Sequence, residues 1–97
     1  MYGLIGKMTA KPGQREALVA AILDGSRGMP GCRSYVVAFD TSDENAVWIT
    51  EVWDDEASHK ASLALPAVRA AIAKAMPLIA DFGPSYVTTP VGGTGVG

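Results

Sequence analysis

From Val47 to Trp53 the chain is apolar on both sides of an extended backbone. Val47, Ile49, Glu51 and Trp53 alternate to one face, and Trp48, Thr50 and Val52 to the other. A strand with that pattern has to be covered twice. The stretch from Cys32 to Asp40 makes the same demand, with Tyr35, Val37 and Phe39 on one face and Ser34, Val36 and Ala38 on the other. The polar segment Thr41 to Asn45 joins the two, so they are expected to form a hairpin.

The second of these strands runs directly into a helix start. Asp54 or Asp55 is placed to cap the first turn, and Glu56 lies within it, where a negative charge is favoured. The short span from Val47 to His59 holds both tryptophans, Trp48 and Trp53, and the only histidine. A strand followed at once by a helix leaves Trp53 and His59 near one end of the pair. An aromatic wall beside a titratable group is one way to build a small-molecule pocket. A core strand with aromatic filler and a surface histidine is the other reading of the same residues.

The remaining elements follow from periodicity. Tyr2 to Thr9 reads as a first strand with Gly3 and Gly6 interleaved, glycines that weaken a strand unless something packs closely on its backbone. Lys11-Pro12-Gly13 is a turn. Gln14 to Asp24 is a helix with Leu18, Val19, Ile22 and Leu23 on its apolar stripe and Gln14, Arg15 and Glu16 toward water. Gly25 and Gly28 suit its end, and Met29-Pro30-Gly31 is a loop. A helical region from Asp55 to about Ala75 is expected to break at Leu65-Pro66, because the residue before proline is steered away from helical angles. Val68, Ile72, Ala75 and Ile79 form its later stripe, which Pro77 bends or ends. Asp81-Phe82-Gly83-Pro84 reads as a turn, and Ser85 to Val91 as the last strand.

The order is strand, helix, strand, strand, helix, strand. This βαββαβ arrangement predicts an α+β, ferredoxin-like sandwich with two helical regions on one face of an antiparallel sheet. The other face would then carry more exposed apolar surface than a monomer usually tolerates, so a homodimer stacked sheet on sheet is expected. With 97 residues the chain is read as a single domain over 1–91, followed by a flexible glycine-rich tail at 92–97.

Charge and composition narrow the function classes. A net charge of −2 attracts neither nucleic acid nor an anionic membrane. Cys32 is the single cysteine, which rules out an intrachain disulfide and fits a reducing, cytoplasmic setting. Met1 to Thr9 lacks a basic start followed by a long apolar run, and no apolar stretch approaches the roughly 20 residues of a membrane span. Gly93-Thr94-Gly95-Val96-Gly97 is glycine-rich, but no helix follows to hold a phosphate. One histidine and one cysteine far apart cannot close a zinc site, and Asp54, Asp55 and Glu56 read as a solvated helix start, so no metal is expected.

Two side chains carry candidate chemistry. Glu51 lies between Ile49 and Trp53 on one face, and if buried it needs a partner: Arg33, Lys7, Arg69 or a ligand. An ion pair at a dimer interface is the alternative. His59 is the one residue whose side chain type moves a proton near neutral pH without special tuning.

Lys11-Pro12-Gly13 with Glu16-Ala17-Leu18, then Pro30-Gly31-Cys32 with Tyr35, then Glu51-Val52-Trp53 with Ala57 and His59, together resemble the antibiotic biosynthesis monooxygenase family, in particular its quinol monooxygenase-like members. The resemblance runs from residue 2 to about residue 90. It implies a dimeric α+β barrel, with a pocket between sheet and helices in each subunit. It implies oxidation of a quinol, anthrone or related phenol by O₂, with no flavin and no metal. A deprotonated phenol or anthrone passes an electron to O₂ itself, and the protein supplies binding, deprotonation and exclusion of water. By the resemblance, Trp53 matches the tryptophan that ends the third strand, and His59 matches a polar pocket position that is tyrosine in the anthrone-oxidising members.

Two departures stand out. Anthrone-oxidising members carry asparagine four residues before that tryptophan, where this chain has Ile49. The haem-degrading branch uses a histidine further along the second helical region, and Val68 to Ile72 has none. The expectation is therefore an oxygenase with His59 as base, Trp53 as stacking wall, and Tyr35, Phe39 and Glu51 contacting an aromatic substrate. A non-catalytic dimeric barrel that binds a small aromatic or scaffolds a pathway is the alternative.

Overall fold

The computed structural model describes residues 1–97. Its strands are β1 (Tyr2–Ala10), β2 (Cys32–Phe39), β3 (Ala46–Trp53) and β4 (Ile79–Thr88). Its helices are α1 (Arg15–Gly25), α2 (Glu56–Ser62) and α3 (Pro66–Ala75), with one 3₁₀ turn at Met76–Leu78. The strands form one sheet in the order β2-β3-β1-β4, and every neighbouring pair is antiparallel. This is the ferredoxin-like α+β sandwich expected from the element order.

Local chemistry explains most of the boundaries. Gly13 takes φ +78° in the turn before α1, a conformation that favours glycine. Asp55 caps α2 by accepting from the Ser58 N–H at 2.7 Å, which holds its carboxyl below the usual carboxylate range. Leu65 is extended (φ −64°, ψ 135°), as a residue before proline must be, so Pro66 opens α3 as a fresh helix. Pro77 falls in the 3₁₀ turn that ends the helical region.

The core lies between α1, α3 and the sheet. Leu18 and Val47 are fully buried, with Ala10, Ala21, Ile22, Ile49 and Ala75 around them. The helices approach closely at Gly25, where a side chain would collide with the Ala71 methyl and approach the Ala67 carbonyl at 3.0 Å. The buried face of α1 is therefore Leu18, Ala21, Ile22 and Gly25, whereas Leu23, expected on that stripe, is 41% exposed. The buried stripe turned toward Ala21 and Gly25 presents small residues, and at Gly25 this lets α3 come close.

Three further sequence expectations are corrected. Asp81 to Pro84 is no turn: it is part of β4, which pairs Phe82 with Met8 and Ser85 with Gly6. The unmatched residues Gly83 and Pro84 are taken up as an irregularity in the β1–β4 register. β4 is an edge strand, so a proline lacking an N–H is tolerated there. The last strand accordingly starts at Ile79 and stops at Thr88, short of Val91. Arg15 does not open to water. Its guanidinium lies 4.0 Å from the Phe39 ring centroid and donates to the Asp40 and Asp43 carbonyls at 3.2 and 3.0 Å, tying the start of α1 to the β2–β3 loop.

The sheet face turned away from the helices carries Ile5, Val36, Trp48, Val52 and Tyr86. Val36 and Tyr86 are both more than half exposed. Trp48 is pinned at one end by donating Nε1–H to Asp40 at 2.8 Å, and the Lys7 ammonium lies 5.9 Å from its ring centroid. In the tail, the Val96 carbonyl accepts from Arg33 at 2.9 Å, and Arg33 also pairs with Asp54 at 2.6 Å. No single helix is long and apolar enough to cross a membrane.

Candidate active site

A chamber of about 310 Å³ opens between the two long helices and the sheet, at the small end of the range for ligand pockets. Met8, Tyr35 and Ile49 form its floor on β1, β2 and β3. Ile22 of α1 and Ile72 of α3 form its walls, and Phe82 of β4 stands at its rim. Ser26 is its only other polar lining side chain besides the Tyr35 hydroxyl. Gly25 of α1 and Ala71 of α3, small residues where the two helices come close, also line the chamber. Phe82 and Met76 are each more than half exposed at its edge, a degree of apolar exposure that suits an entrance.

A second cleft of about 190 Å³ shares Met8, Ile49 and Phe82 with the chamber, so the two adjoin across those side chains. Its other lining residues include Gly6, Gly83, Ser85 and Glu51. Gly6 pairs with Ile49 and Leu4 with Glu51, so position 6 is the diagonal neighbour of Glu51 on the helix-covered face. A Cβ on Gly6 would meet no heavy atom within 4 Å. The glycine thus leaves space beside the carboxylate, instead of serving a close backbone contact as expected for a glycine within a strand.

Glu51 is half-buried, and the only hydrogen bond its side chain receives comes from Trp53, whose Nε1–H donates to Oε1 at 2.9 Å. Burial raises the Glu51 pKa, while the Trp53 hydrogen bond and the nearby His59 pull it back. None of the partners suggested by the sequence, Arg33, Lys7 or Arg69, bonds it. Tyr35 is the direct cross-strand partner of Glu51. Its phenol is pushed far above its ordinary pKa by burial, then by the Glu51 charge and Cys32, so it remains a neutral donor. The Cys32 pKa is likewise raised by burial and by Glu51, and the thiol donates to the Ser34 carbonyl at 3.6 Å. Cys32 is therefore held as a thiol, not a reactive thiolate.

The other sequence candidates fall elsewhere. Trp53 is only 1% exposed, so it offers no free face on which a ligand could stack, and it lines neither cavity. His59 meets Trp53 edge-on at 5.4 Å between ring centroids and Tyr2 at 5.8 Å. It too lines neither the chamber nor the adjoining cleft. Phe39 lies under Arg15 at the far end of β2 and is 46% exposed, outside the chamber. Its face was assigned correctly, but at that end of the strand it is covered by Arg15 at the start of α1 and lies away from the chamber. The structure therefore brings Tyr35 and Glu51 to the cavities and sets Trp53 and His59 behind Glu51. Sequence reasoning missed Met8, Phe82 and Gly6. Gly6 stood out only as a glycine inside a strand, and Phe82 was hidden by reading its neighbours as a turn. No three of the His, Cys, Asp and Glu side chains converge on a metal-sized centre.

The fold agrees with what the chain resembles among known proteins. A protein from Chloroflexus aurantiacus J-10-fl, named for the antibiotic biosynthesis monooxygenases, has a crystal structure that superposes with a TM-score of 0.96. The two are 60% identical, over 99% of this chain and 98% of that one. A similarly named protein from Deinococcus radiodurans gives a TM-score of 0.78 at 26% identity, over 96% and 95% of the two chains. One from Nitrosomonas europaea, at 14% identity and a TM-score of 0.83 over 94% and 99%, shares the fold. No curated protein matches the sequence. The sequence model of one family, described as antibiotic biosynthesis monooxygenase, matches residues 1–74. With most of the chain inside that model, and with a relative 60% identical over nearly its whole length, this protein belongs to the antibiotic biosynthesis monooxygenase family.

Proposed function

We propose that the protein oxidises a quinol, anthrone or related phenolic compound with O₂, binding the ring system in the chamber between α1, α3 and the sheet. The observation that carries this reading is the pairing of an almost wholly apolar chamber with an adjoining half-buried carboxylate. Apolar walls accept a flat aromatic body and dioxygen and keep water from reactive intermediates. The electrons come from the substrate once it is deprotonated. For an anthrone, the ring methylene becomes a carbonyl: one oxygen atom of O₂ enters the product, the other leaves as water, and the substrate supplies all four electrons. In this reading the reaction needs neither flavin nor metal.

The protein works as a homodimer in this proposal, with the sheet face that carries Val36 and Tyr86 covered by a second copy. Its single cysteine suits a reducing, cytoplasmic setting. Sedimentation at micromolar concentration is the check on assembly, and a monomer there overturns it.

The function is tested by oxygen uptake with a panel of quinols and anthrones, in protein stripped of metals and without added flavin. Uptake above background, with product carrying one atom from ¹⁸O₂, is expected. Ile72 lines the chamber but is 44% exposed, so Ile72→Trp fills the space without overpacking the core and should abolish uptake. If aromatic ligands bind and no compound consumes oxygen, the chain is a binding module and the oxygenase reading is wrong.

A further inference from the structure

We infer that Glu51 is the catalytic base of this site, taking a proton from a substrate that reaches it through the space left by Gly6. The inference rests on the chamber being the substrate site. It assigns to Glu51 the role expected of His59.

The geometry selects this residue by position. A base must come within about 3 Å of the proton it removes. Of the titratable side chains near the chamber, Cys32 is held as a thiol against the Ser34 carbonyl, and the Tyr35 phenol is held neutral. His59 is engaged by Trp53 and Tyr2 outside both cavities. Asp54 is occupied by Arg33. Glu51 alone among the acidic side chains lines a cavity that adjoins the chamber.

The carboxylate is also oriented. Its Oε1 accepts from the Trp53 indole, which is locked by near-complete burial and by His59 against its edge. Oε2 has no bonded partner and remains to accept a proton. In the step proposed, an O–H bond forms at Oε2 as the O–H bond of a phenol or the C–H bond of an anthrone methylene breaks. The electron pair stays on the substrate as phenolate or carbanion, the species that O₂ then oxidises. The proton later leaves Glu51 with the oxygen atom released as water. Trp53 is a positioning residue in this scheme, and Gly6 sets access.

Anaerobic hydrogen–deuterium exchange separates this step from oxidation. Anthrone is incubated with the protein in D₂O without oxygen, and loss of its methylene proton signal is followed by NMR. Wild type should exchange well above the buffer rate. Glu51→Gln keeps the acceptor for Trp53 and removes the base, and should slow the protein-dependent exchange by about 10² or more. Gly6→Val, which fills the space beside Glu51 and leaves the carboxylate in place, should slow it to a similar extent while the far-UV spectrum is unchanged. No exchange above buffer by wild type, wild-type rates in Glu51→Gln, or loss in His59→Gln with Glu51→Gln unaffected would each overturn the assignment. If wild type exchanges anaerobically, Glu51→Gln does not, and air brings no oxygen uptake, the base is established and the oxygenase reading fails by itself.

Discussion

Trp53 and Glu51 sit two residues apart on the same face of β3, and the indole N–H of the first holds the carboxylate of the second at 2.9 Å. Neighbours at i and i+2 on a strand both point into the helix-covered layer. A buried tryptophan there needs an acceptor for its N–H, and a half-buried carboxylate needs a donor. Each satisfies the other, and no lysine or arginine is drawn into the core.

Removing that donor should be costly. Trp53→Phe leaves the Glu51 carboxylate without its only hydrogen bond and opens space in a site that is 1% exposed. A loss of about 1–3 kcal/mol in urea unfolding is expected from the orphaned acceptor alone. Any pH-rate profile governed by Glu51 should move to higher pH, because the Trp53 bond opposes the effect of burial on the carboxyl. A variant as stable as wild type with an unmoved profile would show that the pair is incidental.

The raised pKa of Glu51 also sets how stability responds to pH. Burial makes the folded state bind the Glu51 proton more tightly than the unfolded chain does. Its favourable contribution is therefore complete below the ordinary carboxylate pKa and is lost as pH rises through the elevated folded value. The groups that face it are Tyr35 and Cys32 from β2, Trp53 on its own strand and His59 from α2. Denaturation of wild type and Glu51→Gln between about pH 4 and pH 8 should show the wild type losing stability relative to the variant as pH rises. Parallel curves would contradict the proposed environment of the carboxylate.

Gly25 carries the contact between the two long helices. Gly25→Val would drive a branched side chain into the Ala71 methyl and the Ala67 carbonyl. The helices would have to part, at a cost of about 1–3 kcal/mol. The chamber beside them should change shape, so altered aromatic-ligand binding is expected along with a lower midpoint in thermal unfolding.

Leu18 tests the core without touching the chamber. It is 0% exposed and lies against Val47 and Ile49 in the central cluster. Leu18→Ala should cost about 2–5 kcal/mol by chemical denaturation. A smaller loss would mean that α1 relaxes onto the sheet more freely than its packing implies.

What the sequence determined by itself was the set of features decided within a few residues. Alternation marked the β2–β3 hairpin and its two apolar faces. Asp55 capped α2, and the steric effect of Pro66 on Leu65 divided the helical region where expected. The element order then limited the fold to the ferredoxin-like sandwich, and the motifs from Lys11 to His59 marked the family. Residues brought together from distant parts of the chain were decided only in the tertiary structure. Asp81 to Pro84 became strand because β1 had an unpaired edge to fill, which outweighed four turn-forming residues. The site could not be read from the aromatic stretch, because burial of Trp53 depends on how α2 closes over the end of the sheet. The chamber is lined where Gly25 and Ala71 let two helices come close, a relation between residues 46 positions apart that no local pattern encodes. Glu51 became the group at the cavity because position 6, on the neighbouring strand, has no side chain to stand in front of it.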